Sequence, residues 1–169
     1  MNGDGAGGDD SQPASPVCYG AQADDAYMGY AGRDEILAAL NALLEAERAG
    51  ARVALESGKL PNLHDLMRAV GADEARWCAM LSREIERLGG APSQRVGAFR
   101  DKAMAIADPG ERLAFLNRGQ GWVVRKLDAL VPRIRDDALH AALREMADSH
   151  RANIALTDDH IAALRHQKL

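Results

Sequence analysis

The chain has 169 residues, 47% of them hydrophobic and 27% charged, with a formal net charge of -4 at pH 7. This length favours one domain that buries a core without disulfide bonds, and the content of leucine, alanine, glutamate and arginine favours helices. The charge balance lacks the basic surplus typical of nucleic-acid binding, and no apolar run approaches the roughly 20 residues that span a membrane.

Residues 1–32 are rich in glycine, aspartate, serine and proline and contain almost no aliphatic side chains. This composition buries too little apolar surface to offset the entropy of ordering, which predicts a disordered tail before a domain at residues 33–169. The acidic, glycine-rich start differs from a secretory signal. Because Cys18 and Cys78 are too few for a disulfide framework, we expect a cytoplasmic protein.

The first predicted helix spans residues 34–56. Asp34 and Glu35 suit the positive end of the helix dipole, and Gly58 is placed to end the helix. One acid, Glu47, interrupts the apolar stripe. The other members of that stripe are Ile36 or Leu37, Leu40, Leu44, Ala51 and Ala54. A second acid, Glu45, lies off the stripe and is predicted to face solvent.

The second predicted helix spans residues 63–88 and ends at Gly89 and Gly90. Three- and four-residue steps between apolar side chains define its buried stripe. The apolar members are Leu63, Met67, Val70, Trp77, Leu81, Ile85 and Leu88. Glu74 lies inside this stripe, where a carboxylate is costly to bury unless it meets a proton, a cation or a metal.

A long segment, APSQRVGAFRDKAMAIADPG, connects the second helix to the third. A connection of this length between bundle helices is unusual unless it crosses the end or the side of the bundle. We therefore expect a crossover with a short helix near residues 97–107.

The third and fourth predicted helices each carry one polar residue on an apolar stripe. The third begins at Pro109 and ends before Pro132, and its polar residue is Gln120, which lies between two glycines. Mid-helix glycines cost roughly 1 kcal/mol each relative to alanine, so they indicate a close approach or a space left open. The fourth begins after Asp136, a suitable N-cap, and its polar residue is His150.

Glu47, Glu74, Gln120 and His150 each lie near the middle of an otherwise apolar stripe. Mid-helix positions of an antiparallel bundle fall in one layer, so we expect the four side chains to converge in the core. Carboxylate, amide oxygen and neutral imidazole are suitable ligands for iron, manganese or zinc. The alternative is a hydrogen-bonded polar layer that fixes the register of the helices and binds no metal.

Several segments resemble the ferritin-like superfamily, in particular its rubrerythrin type. They are LLEAERAGAR in the first helix, DEARWCAML and REIERLGGAP in and after the second, FLNRGQGWVVRKL in the third and EMADSHRANI in the fourth. The resemblance spans residues 34–165 and implies an antiparallel four-helix bundle with a long crossover between bundle helices 2 and 3. More narrowly, the chain is similar to a bacterial ferritin-like family with a degenerate di-iron motif.

The superfamily's motif is a glutamate on two helices and Glu-x-x-His on the other two. Three of these six ligands are present: Glu47, Glu74 and His150. Trp77, Gln120 and Ala147 occupy the other three positions. The departure implies that a second iron would lose most of its ligands.

Two functions from different classes follow. The first is a bundle that binds one iron, manganese or zinc ion through Glu47, Glu74 and His150, with Gln120 as a weak ligand or beside the ligands. Redox chemistry in such a site would draw its electrons from another protein. The second is a non-catalytic helical module that has lost the metal and works through an exposed surface or as a homo-oligomer. Trp77 and Trp122 are expected to be core residues, and Cys78 is expected to be an inert packing residue.

Overall fold

A computed structural model describes residues 28–166, and most of the predicted disordered tail, residues 1–27, lies outside that range. The described elements are α1 (Arg33–Ser57), α2 (His64–Arg87), α3 (Phe99–Met104), α4 (Pro109–Leu130), a 3-10 turn (Val131–Arg133) and α5 (Asp137–His166). No strand occurs in this range, which confirms the all-α prediction. None of the described helices combines the length and the apolar character that a bilayer span needs.

The residues predicted to begin and end the helices lie at the helix ends. Asp136 caps α5, since its Oδ1 accepts a hydrogen bond from the backbone N–H of Leu139 at 2.9 Å. Asp108 caps α4 in the same way, with Pro109 as the first helical residue. Gly89 follows α2 with a φ of +74°, a conformation that favours glycine.

Neighbouring long helices run antiparallel. α1 packs against α2 and α4, and α5 packs against the same two helices, so the ring order is α1, α2, α5, α4. At one end of the ring, Arg133 after α4 pairs with Glu35 at the start of α1. Arg87 at the end of α2 pairs at 2.8 Å with Asp136, which precedes α5. The starts of α1 and α5 therefore lie beside the ends of α2 and α4.

The connection between α2 and α4 runs along the side of α1 and contains the expected short helix, α3. Midway, the carboxylate of Glu45 accepts hydrogen bonds from Ser93 Oγ at 2.6 Å and from Arg95 Nε at 3.0 Å. Further along, Arg100 pairs with Glu56 at 2.6 Å. The prediction of Glu45 as a solvent-facing acid is therefore wrong: its side chain is half-buried, and the hydrogen bond from Ser93 lowers the pKa of the carboxyl.

A polar layer divides the apolar core in two. One cluster includes Leu40, Leu44, Trp77, Leu127 and Leu143. The other includes Val53, Leu63, Val70, Leu113 and Ile161. On each long helix the mid-helix polar residue predicted from the sequence lies between the two clusters. The core therefore places these side chains where water is excluded on both sides.

Candidate metal centre

Three titratable side chains from three helices meet in the polar layer. Glu47 on α1, Glu74 on α2 and His150 on α5 each offer a ligand atom, and these atoms lie within 4.8 Å of one another. The exposed fraction is 0% for Glu47, 4% for Glu74 and 1% for His150. The structure therefore brings together three of the four side chains that the sequence singled out, from positions up to 103 residues apart.

The His150 ring is held in one orientation. Its Nδ1 lies 3.0 Å from the carbonyl oxygen of Met146, and because a carbonyl only accepts, Nδ1 carries the proton of this hydrogen bond. Its Nε2 lies 3.1 Å from Oε1 of Glu47. In the neutral ring, Nε2 thus presents its lone pair to the acids, which is the arrangement usual for a metal-binding histidine.

The two carboxyls hold their protons more tightly than exposed acids do. Burial raises the pKa of Glu47 to about 8. Burial, and next the negative charge of Glu47, raise the pKa of Glu74 well above its ordinary value. In the metal-free centre, both acids therefore resist ionisation, and a cation that binds them must displace their protons.

Gly50, one turn beyond Glu47 on α1, leaves the space that the Glu74 carboxyl fills. A β-carbon at Gly50 would stand 2.7 Å from Oε1 and 2.8 Å from Oε2 of Glu74. Sequence analysis missed this residue, since it assigned the neighbouring Ala51 to the buried stripe. Ala51 is only half-buried, whereas Gly50 is buried.

Gln120 lies in the same cavity as the three ligand candidates. It is 3% exposed, and within the described residues neither amide atom has a hydrogen-bond partner. The Glu47 carboxyl is also buried, and beyond His150 its hydrogen-bonding neighbour is the carboxyl of Glu74. Most buried polar groups are hydrogen-bonded, so this layer is not the closed network that a purely structural role requires.

Apolar side chains occupy the positions next to the acids where further ligands would be needed for a second ion. Trp77, one turn after Glu74, is 2% exposed, and Ala147, one turn before His150, is 3% exposed. Cys78 is half-buried, and burial raises the pKa of its thiol to about 12. The thiol is therefore unreactive, as expected for a packing residue.

A cleft of about 680 Å³ connects the centre with the surface between α1 and α4. Trp122 lines it and is 36% exposed, so the prediction of Trp122 as a core residue is wrong. The ring of Phe99 from α3 packs against Gly119, where a β-carbon would stand 2.6 Å from Cζ. One of the two mid-helix glycines of α4 thus leaves room for a crossover side chain.

Residues 34–159 match the family model described as "Domain of unknown function (DUF6306)", so the chain belongs to this family. No curated protein and no solved structure matches the chain.

Proposed function

We propose that this chain is a ferritin-like four-helix bundle that binds one iron, manganese or zinc ion through Glu47, Glu74 and His150. The observation that carries the proposal is the convergence of two carboxyls and one imidazole, with ligand atoms within 4.8 Å of one another. Among the described residues, no lysine or arginine forms an ion pair with either acid, and the titratable partner of Glu47 is His150, at 3.1 Å. A bound metal ion would supply the positive charge that these acids need once they lose their protons.

The donor set suits a single ion of this class. Carboxylate oxygens and an imidazole nitrogen are ordinary ligands of iron, manganese and zinc. The hydrogen bond from Nδ1 to Met146 fixes the ring so that Nε2 is the donor atom. Gln120, with its unpartnered amide, lies beside these ligands as a weak ligand or as a hydrogen-bond donor to a ligand.

A two-iron centre does not fit these residues. Bridging two cations requires more carboxylates than Glu47 and Glu74 supply. Trp77 and Ala147 are apolar and fully packed at the positions where the ferritin-like motif carries its remaining histidine and glutamate. The proposal is therefore limited to one ion.

The ferritin-like assignment is supported by the order of the elements and the long connection. Adjacent helices are antiparallel, and the α2–α4 connection returns along α1 before α4 begins. A bound iron ion would supply one-electron redox chemistry. The protein's own residues would hold the ion, flank it with the two apolar clusters, and give up the carboxyl protons on binding. The electrons would come from another protein.

Metal analysis tests this function. Protein purified without chelator, then reconstituted separately with Fe(II), Mn(II) or Zn(II) and desalted, is expected to retain about one ion per chain of at least one metal. Glu74→Gln should lose most of that metal, whereas Glu111→Gln, which changes an exposed acid at the start of α4, should retain it. Trace metal in the reconstituted wild type, or equal loss in both variants, would overturn the proposal.

A non-catalytic interaction module is the second candidate function. The observation that favours it is an open groove of about 550 Å³ between α1 and α2, beside Leu55, whose side chain is 73% exposed. An absence of bound metal together with self-association that Leu55→Asp abolishes would support this function over the first.

A further inference from the structure

The cleft above the proposed metal centre has apolar walls. Phe99 on α3 and Phe115 on α4 are stacked with ring centroids 4.8 Å apart, and Trp122 and Val123 continue the wall along α4. Small residues of α1, including Ala42, form the opposite side. The volume of about 680 Å³ lies within the range of clefts that enclose small molecules. A ligand in this cleft would therefore bury an apolar body.

Three cations line the same cleft. They are Lys102 on α3 and Arg118 and Arg125 on α4. All three are exposed, and in residues 28–166 none of them forms an ion pair. The acid on the cleft wall, Glu45, is already engaged by Arg95 and so does not neutralise them. The mouth of the cleft thus carries uncompensated positive charge.

The base of the cleft is lined by buried polar side chains instead of exposed cations. Glu47 and Glu74 lie there, together with Gln120 and His150. In the metal-free protein, a carboxylate at this buried base would lose its water and meet no lysine or arginine, whereas at the mouth it stays solvated and meets the guanidinium groups. This polarity fixes the direction in which such a ligand enters: its anionic group stays outside and its apolar end points towards the metal centre.

We propose that the cleft binds an organic acid with an apolar chain or ring, and that this is the substrate class of the centre. The exposed cations at the mouth, Arg118, Arg125 and Lys102, attract the carboxylate, and the apolar body lies against Phe99, Phe115 and Trp122. The Arg118 guanidinium already lies over the Phe115 ring, 5.3 Å from its centroid, at the edge of this apolar wall. The arginines suit this role because a guanidinium donates two parallel hydrogen bonds to a carboxylate. The substrate role rests on the proposed metal function, whereas binding in the cleft needs no metal.

Calorimetry with decanoate tests the binding. Full-length protein in excess chelator is expected to bind decanoate. It should bind acetate and decanol much more weakly, because acetate lacks the apolar chain and decanol lacks the carboxylate. Arg118→Gln and Arg125→Gln should each weaken decanoate binding about tenfold. The matched control is Arg144→Gln, which removes an exposed arginine of α5 away from the cleft and should leave the affinity unchanged.

Several outcomes would overturn the proposal. One is equal affinity for decanoate and decanol, and another is equal weakening of decanoate binding by all three arginine variants. Binding of the protein only to vesicles of anionic phospholipid would also overturn it. So would a dimer in sedimentation experiments whose formation shields Trp122 from a fluorescence quencher. Ala42→Trp, which adds bulk to the opposite wall without changing a charge, provides a second variant and should also weaken decanoate binding.

A separate measurement distinguishes failure of the substrate proposal from failure of the metal proposal. Protein loaded with Mn(II) is expected to show a changed electron paramagnetic resonance spectrum when decanoate is added, and no change with acetate. Metal that binds while decanoate does not would overturn only the cleft proposal. Decanoate that binds to a protein without metal affinity would overturn the metal function and leave the cleft as a binding site alone.

Discussion

The Glu74 carboxyl lies directly against Gly50, so that a β-carbon at Gly50 would stand 2.7 Å from Oε1. The two residues belong to different helices, and the approach aims the carboxyl at Glu47 one turn away on α1. A mid-helix glycine costs roughly 1 kcal/mol relative to alanine, and Gly50 is a buried residue inside α1. The position of the carboxyl, rather than helix stability, accounts for the glycine.

Gly50→Ala should therefore displace the Glu74 carboxyl and weaken metal binding, while the helix gains propensity. We expect a folded variant whose metal affinity falls at least about tenfold, since one ligand is misplaced. Gly121→Ala is the matched control because it gains the same helix propensity on α4. There the nearest atom to a β-carbon, apart from the backbone of the helix, is a side-chain nitrogen of Arg125 at 3.4 Å. Competition with a fluorescent chelator measures both; equal affinities would contradict the role given to Gly50.

Replacing Glu74 with leucine should stabilise the metal-free protein. Two buried acids without a cation penalise folding, and exchange of a buried ionic group for an apolar one of similar size stabilises by about 1 kcal/mol or more. Thermal melts of wild type and Glu74→Leu, both in excess chelator at neutral pH, show whether the substitution raises or lowers the stability. A lower melting temperature for the variant would show that Glu74 belongs to a satisfied hydrogen-bond network. Its removal would then leave a buried partner without a hydrogen bond, which costs roughly 1–3 kcal/mol.

The stability of the metal-free protein should fall as the pH rises from about 4.5 to about 8. Glu47 has a folded-state pKa of about 8 against an ordinary value of 4.5, so in this window the folded chain binds a proton that the unfolded chain has released. Below the window both states are protonated, and the penalty is absent. Each proton contributes a slope of up to about 1.4 kcal/mol per pH unit.

Urea unfolding of wild type and Glu47→Gln across this window isolates the contribution of Glu47. The wild type should lose stability relative to the variant as the pH rises, because glutamine does not titrate. A constant difference between the two would show that Glu47 titrates at its ordinary value. Excess metal should reverse the trend for the wild type, since binding releases the carboxyl protons and strengthens with pH.

The two halves of the connection between α2 and α4 should open independently of each other. Glu45→Ala removes the acceptor of Ser93 and Arg95, so amide hydrogen exchange should accelerate in residues 91–96. Glu56→Ala removes the partner of Arg100 and should instead accelerate exchange in residues 99–104. Each variant serves as the control for the other. Acceleration of both segments by either change would show that the crossover opens as one unit.

Sequence periodicity was sufficient to predict the helices and the polar layer, because both depend on local spacing. The helix boundaries agree with the structure within two residues where a cap such as Asp136 or a glycine such as Gly89 marks the end. The convergence of Glu47, Glu74 and His150 followed from their mid-helix positions.

The cleft and its surroundings could not be predicted in this way. Trp122 faces a cleft that is lined by α1, by α4 and by the short helix of the crossover, so its exposure depends on how these three segments pack together. Glu45 differs from a solvated acid only because Ser93 and Arg95 pass over it. Gly50 matters because of a residue on another helix. All three depend on contacts between segments distant in sequence, which periodicity on one helix does not contain.

The separation of Glu47 and His150 by 103 residues also has a consequence for the order of folding. α1 and α2 are joined by a short connection and can pair before α5 is present, as a hairpin whose two acids still face water. Docking of α5 then removes that water, so the acids must take up protons at the same step. Refolding metal-free protein in weakly buffered indicator dye near neutral pH should therefore show most of the proton uptake in the docking phase, and the rate of that phase should depend on pH.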